Sequence, residues 1–193
     1  MNPGTELVAA SFRDPHGFVF RRGSVLYRQV NEVHRPHLDR FTESGLYDRL
    51  VADELLVAHE DVDLSLAAAP DACRIIRPEE IPFISYPYEW SFSMLRDAAL
   101  ATLRIQELAL DHGMSLRDAT AYNLTFHKGR PQFLDTTSFE ILPEGLPWVA
   151  YRQFCQHFVA PLALMSLRDA RLGQLSRLYI DGVPLDLASA LLP

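Results

Sequence analysis

Lysine is almost absent from this sequence. Of its 18 basic residues only Lys128 is a lysine, and the others are arginines. Cysteine is scarce too. Cys73 and Cys155 show no Cys-x-x-Cys spacing, which excludes a zinc ribbon, and their apolar neighbours predict buried free thiols. Glycine is thin on the ground: no two of the nine glycines lie within two residues of each other. A G-x-G-x-x-G phosphate loop is therefore excluded. No run approaches the ~18 apolar residues of a membrane span. The opening "MNPGTELVAASFRDP" lacks the basic and apolar segments of a secretory signal. The expectation is a cytoplasmic protein with no membrane partner. A net charge of −7 without any basic run excludes a general nucleic-acid binder.

What is present suffices for a core. The chain has 193 residues, 48% hydrophobic and 22% charged, enough to fold without disulfides. Residues 1–16 read as a leader. "GFVFRRGSVLYRQV" (17–30) alternates around Arg22-Gly23 and predicts a hairpin. Leu46, Leu50, Leu55 and Val57 predict a helix over about 44–58, with Ser44 as N-cap. "CRIIRP" (73–78) and "IPFISYPYEW" (81–90) read as strand-like pieces broken by prolines. Leu95, Ala98, Ala99, Thr102, Ile105, Leu108 and Ala109 share one face of a helix from about Ser91 to His112, which Gly113 stops. A second hairpin follows, 123–127 and 131–135, turning at Lys128-Gly129. Residues 148–167, kinked at Pro161, and 172–180 read as helices. Strands and helices in this order predict an α+β fold: a small β-containing part with a hinge over 17–90, and a mainly helical part over 91–193. "GVPLDLASALLP" stops on Pro193 after an apolar run and reads as a cut through a longer protein.

The chemistry concentrates in "SLRDATAYNLTFHKGRPQFLDTTSFE" (115–140). Phosphoryl transfer needs a carboxylate near the acceptor hydroxyl and oxygen ligands for magnesium. Asp118 is followed, after four residues, by Asn123, and Asp135 ends the second strand of the hairpin. The protein-kinase pattern is H-R-D-x-x-x-x-N, then the aspartate of D-F-G. The spacing and Arg117 match it. Leu116 stands where the histidine would be, and Thr136-Thr137 where Phe-Gly would be. This segment resembles the protein-kinase-like superfold, nearest to aminoglycoside phosphotransferases and choline kinases. The resemblance implies a small N-lobe and a mainly helical C-lobe with a catalytic-loop hairpin. It implies Asp118 as catalytic base, Asn123 and Asp135 as Mg²⁺ ligands, and ATP as the nucleotide. "FISYPYEW" falls where the inter-lobe hinge would lie, with Tyr86 and Tyr88 beside the base. Arg28 takes the place of the phosphate lysine, with Glu43 or Glu54 as its partner; arginine and lysine are not interchangeable there.

A second resemblance covers nearly the whole chain. "GFVFRRGSVLYRQVN", "SGLYDRL", "ISYPYEWSFSMLRDAAL", "DATAYNLTF", "FLDTTSFE", "PWVAYRQFCQHFVAPLAL" and "DGVPLDLASALLP" resemble the N-terminal region of bacterial proteins labelled SAM-dependent methyltransferases, related to nodulation proteins. This implies a covalently linked methyltransferase domain beyond Pro193. SAM would bind only there, since its glycine-rich turn is absent here.

Bland readings stand beside these. Asp118 and Asn123 also suit loop capping. His34 and His37 are not read as metal ligands, because Pro36 interrupts their helix and no third ligand is near in sequence. Cys155 and His157 read as packed, and Glu140 as either a second carboxylate or a surface residue. Two functions follow: a Mg-nucleotide-binding phosphotransferase acting on a small hydroxylated substrate, or a non-catalytic recognition or structural module serving the attached domain.

Overall fold

Arg22-Gly23 closes a hairpin. In the computed structural model, which describes residues 5–8 and 14–193, Gly23 takes the turn at φ +59, a region open to glycine at no steric cost. The hairpin sits within an antiparallel sheet of β1 (Thr5–Leu7), β2 (Gly17–Arg22), β3 (Val25–Asn31), β4 (His59–Val62) and β5 (Ala72–Pro78). The strands lie in the order β1-β2-β3-β5-β4. The expected leader thus contributes an edge strand: Glu6 lies opposite Arg21, and Leu7 opposite Phe20. Residues 1–4 and 9–13 of that leader lie outside the described residues.

Two helices, not one, join β3 to β4. They are α1 (Arg35–Glu43) and α2 (Leu46–Ala52). Pro36 sits in the first turn of α1, where its missing N–H costs nothing. Ser44 is the C-cap of α1 rather than an N-cap, and Gly45 at φ +80 breaks the chain before α2. Leu38, Phe41, Leu46 and Leu50 are buried. Leu55 and Val57, expected in the same helix, instead run extended. The Leu55 carbonyl accepts from Phe133 N–H (2.8 Å), and Val57 N–H donates to the Phe133 carbonyl (3.0 Å). Residues 81–90 form no strand. Proline there removes ladder donors, and only one 3₁₀ turn, Pro87–Glu89, interrupts the connection.

The predicted central helix is α3 (Phe92–Asp111). Ser91 Oγ caps it by accepting from Met94 N–H, Gly113 follows it at φ +71, and all seven residues expected on its inner face are buried. Next come β6 (Met114–Leu116), β7 (Leu124–His127), β8 (Arg130–Phe133) and β9 (Phe139–Ile141). β7 and β8 form the expected hairpin, turning at Lys128 and Gly129, both with positive φ. β6 pairs with β9, bringing the two ends of 114–141 together. The expected helix over 148–167 divides into α4 (Tyr151–Phe154), a π-helical turn (Cys155–Val159) and α5 (Ala160–Leu167), with Pro161 in the first turn of α5. α6 (Leu175–Leu178) and α7 (Leu185–Leu191) complete the chain.

The fold is mixed, a small antiparallel sheet beside several helices. Its core joins α1 and α3 to the β6–β9 region through Phe41, which stacks on Phe139 at 4.5 Å, and Phe133, which meets Phe139 edge-on. Cys73 and Cys155 are free thiols, the first buried and the second half-buried. Among the described residues no helix is long and apolar enough to cross a membrane.

Candidate functional site

One face of the sheet roofs a cavity of about 340 Å³. Residues two apart in a strand share a face. Val19 and Arg21 of β2, Leu26 and Arg28 of β3, and Ile76 and Pro78 of β5 therefore line it together. The ladder sets Val19 beside Arg28 and Arg28 beside Ile76. Val57 and His59 supply another wall. The connection after β5 contributes Glu79, Glu80, Ile81 and Ile84, and Leu134 and Thr136 flank Asp135 from the other side.

Asp135 is held where β8 gives way to a 3₁₀ turn over Thr136–Ser138. Leu134 N–H donates to the Asn123 carbonyl at 2.7 Å, which fixes the chain just before it. An aspartate followed by Thr-Thr-Ser favours such a turn, because its carboxylate accepts from the backbone two residues on. Asp135 Oδ1 accepts from Thr137 N–H (2.9 Å), Thr137 Oγ1 (2.7 Å) and Arg28 Nη1 (2.6 Å), and Oδ2 accepts from Ser138 Oγ (2.9 Å). Arg28 also donates to Thr137 Oγ1 at 3.0 Å. Burial alone would push the Asp135 carboxyl up. The Arg28 guanidinium and the bonds from Thr137 and Ser138 outweigh it, and hold the carboxyl below its ordinary value.

Asn123 is one hydroxyl away. Its Nδ2 donates to Ser138 Oγ at 3.1 Å, and that hydroxyl donates to Asp135. Asp118 is not in this chain of bonds: its Oδ1 accepts from Thr120 N–H at 3.0 Å. The loop bearing it is pinned from the helical side. Ala119 N–H donates to Gln153 Oε1 at 2.6 Å, and Thr120 Oγ1 lies 3.3 Å from His157 Nε2. Arg117 clamps the Asp135 turn through Nε to the Thr137 carbonyl, and reaches Asp14 at 2.8 Å. Arg117, Thr137 and Ser138 were not assigned roles from the sequence; the Thr-Thr-Ser that follows Asp135 was the available signal.

The remaining sequence candidates lie elsewhere. Arg28 pairs with Asp135, and not with Glu43 or Glu54; Glu54 pairs with Arg130. Tyr86 and Tyr88 stack on each other at 5.6 Å, with Tyr122 near Tyr86, and neither belongs to the cavity wall. Glu79 to Ile84 take that position instead. Glu140 lies opposite Ser115 in the β6–β9 ladder. His16, unforeseen, lies with its Nδ1 3.2 Å from His34 Nδ1, and the His34 and His37 rings are 5.2 Å apart. Burial, with His37, His16 and Arg117 adding, pushes His34 down to about 3.

A magnesium ion would need several oxygen ligands free to face it. Both Asp135 oxygens are already engaged, and a guanidinium occupies the cationic position beside them. Among the described residues no three of His, Cys, Asp and Glu converge as metal ligands. As placed, Asp135 Oδ1 is committed to Arg28 and Thr137, while Oδ2 accepts one bond, from Ser138.

No family model matches the chain. It is similar to Nodulation protein NoeA of Rhizobium meliloti (strain 1021), with 36% identity over 179 residues. The match covers 92% of this chain and 37% of that protein. The chain thus spans little more than a third of the length of the curated relative it matches.

Proposed function

We propose that this chain is a kinase-like module that recognises a ligand without transferring phosphate, working as one part of a longer nodulation-type protein. The similarity to Nodulation protein NoeA supports the second half, since most of that relative lies outside the match. A linked methyltransferase domain, implied by the second sequence resemblance, is the candidate for the remainder. The element order supports the kinase-like half. A five-stranded antiparallel sheet carries an inserted helical segment after its third strand, and a long helix leads into the loop of Asp118 and Asn123. A hairpin then delivers Asp135.

The observation that carries the non-catalytic reading is the Arg28–Asp135 pair at 2.6 Å. The carboxylate that would hold magnesium is neutralised by an arginine from the sheet. Stranding either partner of such a largely buried pair costs about 3–5 kcal/mol, because the remaining charge is left uncompensated. A phosphotransferase reading draws on one observation, the closeness of Asn123 to Asp135 through Ser138. It requires nucleotide and Mg²⁺ to displace Arg28. Calorimetric titration with ATP, with and without MgCl₂, separates the two. The expected outcome is no magnesium-dependent binding. Saturable magnesium-dependent ATP binding would overturn the non-catalytic reading.

A further inference from the structure

We infer that the chain carries a second site, a bipolar pocket beside the β7–β8 turn that binds a small zwitterion with an ammonium and a carboxylate at opposite ends. The site lies apart from the Asp135 cleft, and its test does not depend on what that cleft binds. Three observations converge on it.

The first is placement. A cavity of about 410 Å³ opens between the end of α2, the chain leading into β4, Glu79 after β5, and the β7–β8 turn. That volume falls within the range of small-molecule pockets, ~300–1,000 Å³. Side chains alternate along an extended segment. Val57 and His59 line the cavity under the sheet, while Leu56 and Ala58 line this one, with Val51 beside them. The two cavities therefore lie on opposite faces of one segment. That segment is fixed on both sides, by the pairing of Leu55 and Val57 with Phe133 and by Glu79 N–H donating to the Ala58 carbonyl at 2.8 Å.

The second is charge. The single lysine of the chain, Lys128, stands at the turn, and Arg130 and Gln132, two apart in β8, share a face toward the cavity. His127 lies opposite Arg130 in the ladder. Glu54 and Glu79 supply the acidic side. Arg130 pairs with Glu54. Lys128 and Glu79 have no ion-pair partner among the described residues; they line one cavity yet stand too far apart to pair with each other. One cation and one anion are left over, held apart. A lone anion would satisfy Lys128 and meet uncompensated carboxylate charge, and a lone cation the reverse. A zwitterion that spans the pocket satisfies both.

The third is backbone. Among the described residues two that are not glycine have positive φ, Glu54 at +56 and Lys128 at +50, and both line this cavity. Long side chains are uncommon in this region, which glycine and asparagine enter readily. Beyond α2, Glu54 N–H donates to the Val51 carbonyl and Leu55 N–H to the Leu50 carbonyl. That is the helix stop usually given to glycine. Lys128-Gly129 is a two-residue hairpin turn with both φ positive, for which asparagine-glycine is the preferred pair. Folding alone favours neither glutamate nor lysine at these positions. Residues held in sparsely populated backbone regions cluster at binding sites, and here they bring one charge of each sign to one cavity.

The test titrates the full chain, carrying ¹³C-labelled methyl groups, with 6-aminohexanoate, hexanoate and hexylammonium. The three probes share a six-carbon chain and differ only in which ends are charged. The expected result is saturable shifts at the Val51, Leu56 and Ala58 methyls with 6-aminohexanoate, and binding about fivefold or more weaker with either singly charged probe. Lys128→Asn should bring 6-aminohexanoate down to the affinity of hexylammonium, and Glu79→Gln down to that of hexanoate. Lys128→Asn should also melt at or above the temperature of the parent, because asparagine suits the turn, so its loss of binding is not a loss of fold. No saturable shift with 6-aminohexanoate, or a singly charged probe binding as tightly, overturns the ligand class. Either variant binding 6-aminohexanoate as the parent does overturns the bipolar site.

Discussion

Arg28 of β3 and Asp135 beyond β8 stand 107 residues apart in sequence and meet at 2.6 Å. Their side chains are 13% and 18% exposed. The pair ties the sheet to the turn that follows the hairpin, so it is at once a tertiary staple and the centre of the candidate site. Because desolvation offsets much of the attraction, such a pair contributes little net stability compared with apolar replacements, but losing one partner is costly. The position that the kinase resemblance gives to metal chemistry is here held in an ion pair with Arg28.

Acid should destabilise this fold well above the carboxylate range. His34 is pushed down to about 3 and His59 to about 4, burial being the largest cause in each, so both stay neutral when folded. Unfolded, they take up protons below about 6.5. Their contribution is fully present above that value and is lost as pH falls toward 4 and then 3. At pH 5 each should cost about 2 kcal/mol relative to pH 8. Urea denaturation at the two pH values measures this, and His34→Gln should reduce the difference by about 2 kcal/mol. An equal stability at pH 8 and pH 5 would show that the histidines are not buried neutral.

Gly113 ends α3 at φ +71, and a Cβ there would come 2.9 Å from Arg40 Nη2, which donates to the His112 carbonyl. Gly113→Ala should therefore cost about 1–2 kcal/mol for the left-handed backbone alone, with the arginine end swinging aside. Ser91→Ala at the other end should cost about 1 kcal/mol through the lost N-cap. Thermal melts of both variants, compared with the parent, test whether the two ends of this helix were correctly read.

These two ends illustrate what was legible. A 20-residue helix with a 3.6-residue apolar period, a capping serine and a stopping glycine carries its signal locally, and so does a hairpin turning at Lys128-Gly129. Residues 44–58 misled, because leucines at helical spacing continued through Gly45 and past Ala52. The extended course of 55–57 is fixed by pairing with Phe133, far along the chain. Spacing placed Asp118, Asn123 and Asp135 as a set, and Asn123 does approach Asp135 through Ser138. The partner of Arg28 was not legible. Glu43 and Glu54 were nearer in sequence, and only the packing of β3 over the hairpin selects Asp135. The edge strand at Thr5–Leu7 was missed for the same reason: three residues hold no period, and β2 alone defines them.

Asp118 separates recognition from catalysis. Its carboxylate accepts from Thr120 N–H and caps its own loop. In a non-catalytic module Asp118→Ala should cost about 0.5–1.5 kcal/mol, the worth of one such hydrogen bond, and leave binding in the cleft unchanged. In a phosphotransferase it would cost roughly 10²–10⁴-fold in turnover, the worth of a positioned base. A urea titration paired with a phosphate-release assay over candidate hydroxylated acceptors reads both quantities on one preparation.

Asp135→Asn is the decisive substitution, because two readings assign opposite consequences to it. If Asp135 holds magnesium, the amide keeps the shape and removes the charge that binds the ion. Stability would then scarcely move, and magnesium-dependent nucleotide affinity would collapse. If Asp135 instead neutralises Arg28, the amide strands a guanidinium that is 13% exposed. Stability should fall by about 3–5 kcal/mol, and no magnesium-dependent affinity exists to be lost. Arg28→Met should fall by a similar amount, through the stranded carboxylate. Combining Arg28→Met with Asp135→Asn removes both charges while the amide oxygen still accepts from the turn, and the double variant should lose clearly less than the sum of the two single losses, since neither charge is left stranded. A double loss well short of the summed single losses, by on the order of 1–3 kcal/mol, is the expected outcome of that cycle. Simple additivity of the two single losses would mean that Arg28 and Asp135 do not depend on each other, and the architectural reading of the pair would be abandoned.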